Sequence, residues 1–69
     1  MKRRAVLKQI ELAAKRQGIP FALRERTNHT GIQVGSASTV IGRHVEIKES
    51  QRIRIFKQLE PALGKRWWK

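Results

Sequence analysis

Between Lys2 and Gln17 the apolar residues Val6, Leu7, Ile10, Ala13 and Ala14 recur at intervals of three and four. Lys8, Glu11, Lys15 and Arg16 fall mostly on the other side, so this segment reads as an amphipathic helix. Glu11 and Lys15 add a favourable i, i+4 pair. Gly18 can take the left-handed conformation that ends a helix, and Pro20 bars continuation. The period then drops to two. "FALRER" sets Phe21 and Leu23 on one face and Ala22, Arg24 and Arg26 on the other, which suits a half-buried strand. "TNH" has the composition of a turn. Thr30, Ile32 and Val34 next alternate with Gly31 and Gln33 as a second strand, "GSAS" supplies a tight turn, and "TVIG" forms a short third strand. Sequential strands joined by short turns imply an antiparallel meander.

After "RHVEI" the helical period returns. Ile55, Phe56, Leu59 and Leu63 make an apolar stripe, with Arg52, Arg54 and Lys57 mainly outside it and Ser50 a candidate N-cap. Pro61 lacks an N–H and clashes with the preceding turn. Either the helix ends at Glu60, or Pro61 opens a separate last turn before Gly64. The order helix, three strands, helix predicts an α+β fold of α-β-β-β-α type. Two helices cover one face of a three-stranded antiparallel sheet and leave the other face open to solvent or to a ligand.

Length limits this picture to one domain, residues 1–69, with "KRWWK" at 65–69 a basic aromatic tail. A chain of this size buries only about 60% of the surface it exposes unfolded, so the core is small. There is no cysteine, which fits a reducing cytoplasm. The opening "MKRRAVLKQIELAA" imitates a signal peptide, but Lys8 and Glu11 interrupt its apolar part. No stretch approaches the ~20 residues of a membrane span. The expectation is a soluble cytoplasmic protein without membrane partner or cofactor.

Charge changes the picture most. Sixteen Lys and Arg stand against five Asp and Glu, a formal net charge of +11. Solubility alone needs far less. An excess of this size attracts polyanions and gains affinity by releasing their counterions. Nucleic acid is the first partner class, an acidic protein the second, and an anionic membrane a distant third. Lys2, Arg3, Arg4 and Lys8 cluster at the first helix, where basic residues oppose the helix dipole; they could be only a solvated first turn, but with this net charge contact with RNA phosphates is the favoured reading. Trp67 and Trp68 could stack on bases, bury in a partner, or cap the core.

Candidate chemistry is sparse. Two histidines and five scattered carboxylates show no metal-ligand spacing, and there is no Gly-rich phosphate loop, Ser/His/Asp set or nucleophilic cysteine. Any catalysis falls to His29 or His44. RNA is a substrate for which one imidazole is useful, because the ribose 2′-OH is a nucleophile already beside its phosphodiester. A base that removes its proton, with cations to neutralise the phosphate, can cleave the strand without metal. His29 shares a face with Gly31 and Gln33, opposite Ile32 and Val34, so it belongs to the open face. The plain alternative is that a His beside Asn and Thr in a turn is an ordinary solvated residue. His44, at the passage from third strand to last helix, reads first as a junction residue bonding nearby backbone, and second as another acid, base or phosphate contact.

Several stretches, taken in order, resemble the HicA-type toxins, small mRNA-cleaving partners in bacterial toxin–antitoxin pairs. They are "KRRAVLKQIELAAKRQG", "RTNHT", "VIGRHVEI" and "RIFKQLEPALG", together nearly the whole chain. His29 falls where that family's catalytic histidine lies, usually in a Gly-(Ser/Asn)-His-(His/Thr) setting. "RHVEI" resembles the family's Pro-x-His element. The likeness implies a double-stranded-RNA-binding-like fold, metal-independent mRNA cleavage by His29, and neutralisation by a HicB-type antitoxin. RNA contacts are then expected from Lys2, Arg3, Arg4, Lys8, Arg24, Arg26, Asn28 and Arg43, with His44 a possible secondary group. The sequence departs from the family pattern at Thr27 (usually Gly), Gly31 (usually bulkier), Gly42 (usually Pro), and Lys48 and Ser50 at the helix start. Two rivals belong to other classes: a non-catalytic RNA-binding module of the same fold, and a small assembly protein docked through its tryptophans and cations.

Overall fold

The computed structural model describes residues 1–69 as six elements in chain order: α1 (Arg3–Gln17), β1 (Phe21–Glu25), β2 (His29–Val34), β3 (Ala37–Gly42), α2 (Glu49–Gln58) and α3 (Glu60–Leu63). The strands form one antiparallel sheet in the order β1-β2-β3. Helix α1 lies toward β1, and α2 and α3 toward β3, all on the face carrying Thr30, Ile32, Val34, Ala37, Thr39 and Ile41. This is the α-β-β-β-α layout expected from the periodicities.

The core is where those periodicities meet. Val6, Ile10 and Ala14 of α1 pack with Ile32, Val34, Ala37 and Ile41 of the sheet and with Ile47, Ile55, Phe56, Leu59 and Leu63 of the C-terminal half. Leu7 and Ala13 lie at its margin, partly buried. Leu23 departs from the half-buried strand expected around it and is 45% exposed. Strand β1 is an edge strand, and the helices close over β2 and β3 more fully than over its outer side.

Helix ends follow local chemistry. At Gly18 the backbone turns left-handed (φ 69°) and its N–H is donated to the carbonyls of Ala14 and Lys15, ending α1 where expected. Pro61 takes the second of its two options: α2 stops at Gln58 and Pro61 sits in the first turn of α3, where a missing N–H costs nothing. Ser50 is not the N-cap. That position belongs to Lys48, whose side chain makes no capping bond, and Ser50 lies one residue inside the helix. The third strand starts at Ala37 rather than Thr39, because the β2–β3 turn needs only Gly35 and Ser36. Gly35 has φ 57°, and a Cβ there would come within 3.1 Å of Ile19 Cγ2. Thr27 and Asn28 make the β1–β2 turn without a positive φ, so Thr27 serves without glycine's freedom.

The aromatic tail belongs to the core. Trp67 and Trp68 lie 4.7 and 5.8 Å from the Phe56 ring, and Trp67 Nε1 donates to the Phe56 carbonyl at 2.8 Å. Of the roles open to them in sequence, both take that of core cap, which removes them as free stacking platforms. No helix is long and apolar enough to cross a membrane.

Candidate functional site

Cross-strand register sorts the side chains of the open face into rows. Ala22, Gln33 and Ser38 form one row, and Arg24, Gly31 and Val40 the next. The third row holds His29 and its partner Gly42, with Arg26 across the turn, where the Arg26 N–H is donated to the His29 carbonyl at 2.9 Å. His29 is therefore on the uncovered face at one end of the central strand, partly exposed. Thr30, Ile32 and Val34, on the alternate register of the strand, are buried, which fixes the orientation.

His44 comes to the same end of the sheet. A Cβ on Gly42 would lie 3.5 Å from His44 Cδ2, so the His44 ring rests over the residue that pairs with His29. Residues fifteen apart in sequence thus border one glycine.

Beneath His29 the chain is anchored by a polar network that crosses four segments. Thr30 is fully buried and its hydroxyl donates to Glu25 Oε1 at 2.8 Å. Arg3, at the start of α1, donates from Nη2 to the Thr30 hydroxyl and from Nε to the Gly42 carbonyl at 2.9 Å. From the other side Arg43 Nη2 donates to Glu25 Oε1 at 2.8 Å and also to the Arg26 carbonyl. The Thr30 hydroxyl bond is the largest cause holding the Glu25 carboxyl below its ordinary range; desolvation opposes it, and the charge and hydrogen bond of Arg43 add to the lowering. The network ties the ends of β1, β2 and β3 to α1 around the His29–Gly42 pair.

The residues expected to touch RNA divide into two groups. Arg24 and Arg26 line a hollow on the open face, Asn28 is exposed at the turn tip, and Arg43 borders the same end. Arg4 and Lys8 instead line a groove between α1 and β1 with Leu7, Phe21 and Leu23, on the helix side of the sheet. Lys2 pairs with Glu46 at 3.3 Å, and Arg3 is engaged in the network just described. Sequence reasoning missed Glu25 and Thr30. The one available signal was that Thr30 shares the core-facing register of Ile32 and Val34, so its buried hydroxyl had to find a partner. No three His, Asp or Glu side chains gather closely enough to hold a metal ion. The chain matches no family model, no curated protein and no solved structure.

Proposed function

We propose that this protein is a metal-independent endoribonuclease that cleaves mRNA at the open face of its sheet. The observation that carries the reading is His29, held on the uncovered face beside Arg26, with His44 on the far side of its partner Gly42. In this mechanism the His29 imidazole takes the proton of a ribose 2′-OH. The 2′-oxygen bonds to the adjacent phosphorus, and the bond from phosphorus to the 5′-oxygen breaks. The departing oxygen takes its proton from the His44 imidazolium, leaving a 2′,3′-cyclic phosphate on one fragment and a 5′-OH on the other. Arg24 and Arg26 offset the charge that builds on the phosphate oxygens. DNA lacks the internal nucleophile and is not a substrate.

Such an activity requires restraint in the cell. The same reading gives the protein an acidic, HicB-type antitoxin that covers the basic open face and blocks His29. Binding only the folded chain, that partner would also stabilise this small domain by mass action.

The test is cleavage of a defined RNA in EDTA at low salt. His29→Ala should lower the rate by about 10²–10⁴-fold, the usual worth of one proton-transfer group. It should leave RNA affinity within a few-fold, and His44→Ala should slow cleavage by a comparable factor with RNA affinity again kept. Wild-type protein that leaves RNA intact under these conditions, while binding it, would reduce the molecule to a non-catalytic RNA-binding module.

A further inference from the structure

Gly31 occupies the middle of the central strand for no reason that the fold supplies. Its φ is not in the left-handed region, unlike those of Gly18, Gly35 and Gly64. A Cβ placed there would lie 3.5 Å from the Arg24 carbonyl oxygen and 3.8 Å from Arg24 Cβ, ordinary van der Waals separations. Neither conformation nor crowding demands glycine, and an interior glycine weakens a strand.

What the missing side chain does create is space. Above Gly31 the open face is hollowed to about 320 Å³, within the ~300–1,000 Å³ typical of small-molecule sites. Arg24 stands on one side of Gly31 in the cross-strand row and Val40 on the other, the latter 48% exposed. Gln33, Ser38 and Arg26 complete the rim. Neither Arg24 nor Arg26 has an ion-pair partner. A peptide-backbone floor, an exposed aliphatic wall, a free guanidinium and amide and hydroxyl groups at the edge are the requirements of a flat, polar-edged ring.

We infer that this hollow is a base-binding subsite for single-stranded RNA, taking the unstacked base of the nucleotide next to the one whose ribose His29 faces. The inference rests on the proposed ribonuclease reading for its choice of RNA. Gly31 is two residues from His29 on the same face, a separation of about 7 Å at the rise of a strand, which is the scale of one nucleotide step. Arg24 stacks on the base, and Arg26, in the His29 row but also lining the hollow, meets the intervening phosphate. Paired bases in a duplex present no free ring face and are excluded.

The experiment uses Gly31→Val and a short 2′-O-methyl RNA, which cannot be cleaved, so that binding is read whether or not the protein is an enzyme. Inorganic polyphosphate, an anionic chain without bases, is the control ligand. Valine suits a strand, so the thermal midpoint should hold or rise. Affinity for the 2′-O-methyl RNA should fall about tenfold or more, the worth of one lost base stack, with polyphosphate binding unchanged. Gly31→Ala, which adds one methyl, should fall between wild type and valine and serves if valine fails to fold. Undiminished RNA binding by the variant, or an equal loss for RNA and polyphosphate, would overturn the subsite. A wild-type protein that binds but never cleaves would overturn the ribonuclease reading alone.

Discussion

Thr30 explains how a solvent-facing histidine can be held still in so small a domain. Adjacent strand residues point to opposite faces, so anchoring Thr30 beneath the sheet fixes the backbone from which His29 rises above it. Thr30→Val keeps the shape and removes the hydroxyl that accepts from Arg3 and donates to Glu25. Urea unfolding at pH 7 should show a loss of about 1–2 kcal/mol, and unchanged stability would mean the network is ornamental. The acid side carries a second reading of the same variant. Glu25 has a lowered pKa in the folded protein, so its contribution is present above its ordinary value of 4.5 and is lost as pH falls through the lowered folded value. Since the Thr30 bond is the largest cause of that lowering, Thr30→Val should flatten the stability decline below pH 4.5 relative to wild type.

The elements differ in how completely their own residues specify them. Helix α1 has a strict apolar stripe and a glycine stop, and it forms with the boundaries its sequence predicts to within one residue. Helix α2 begins less well. Lys48 holds the extended N-cap backbone but offers no acceptor to the free N–H groups of the first turn, and its charge opposes the helix dipole. Lys48→Asp should therefore raise stability by about 0.5–2 kcal/mol, measurable as a higher denaturation midpoint with an unchanged urea slope; a lower midpoint would mean the lysine is held by contacts of its own. Strand β1 is the weakest element, with four of its five residues exposed. Its alternation was readable, but the exposure of Leu23 was not, because a periodic pattern says which side faces a core and not how far the covering helix reaches.

At the level of the entire protein, the net charge of +11 is distributed over both layers, yet its parts are unequally available. Lys2, Arg3 and Arg43 are committed to Glu46, Thr30 and Glu25, whereas Arg24 and Arg26 are unpaired on the open face. RNA affinity should thus fall with salt by about sevenfold between 50 and 200 mM, the slope expected when about two phosphates are neutralised on a single strand. A titration by fluorescence anisotropy checks it, and binding that resists salt would point instead to an assembly surface. Trp67 and Trp68, packed around Phe56, should contribute little to that affinity.

The strand and helix periods, the glycine and proline stops and the excess of cations were all properties of neighbours in the chain, so they could be read without coordinates. They determined the order of elements and the face on which His29 stands, and they made a polyanion the expected class of partner. The approach of His44 to Gly42, the strand partner of His29, the engagement of Arg3 by Thr30, and the folding back of both tryptophans onto Phe56 bring together residues 15, 27 and 11 to 12 positions apart. Such contacts depend on how packed layers align and where loops return, and no local period encodes that distance.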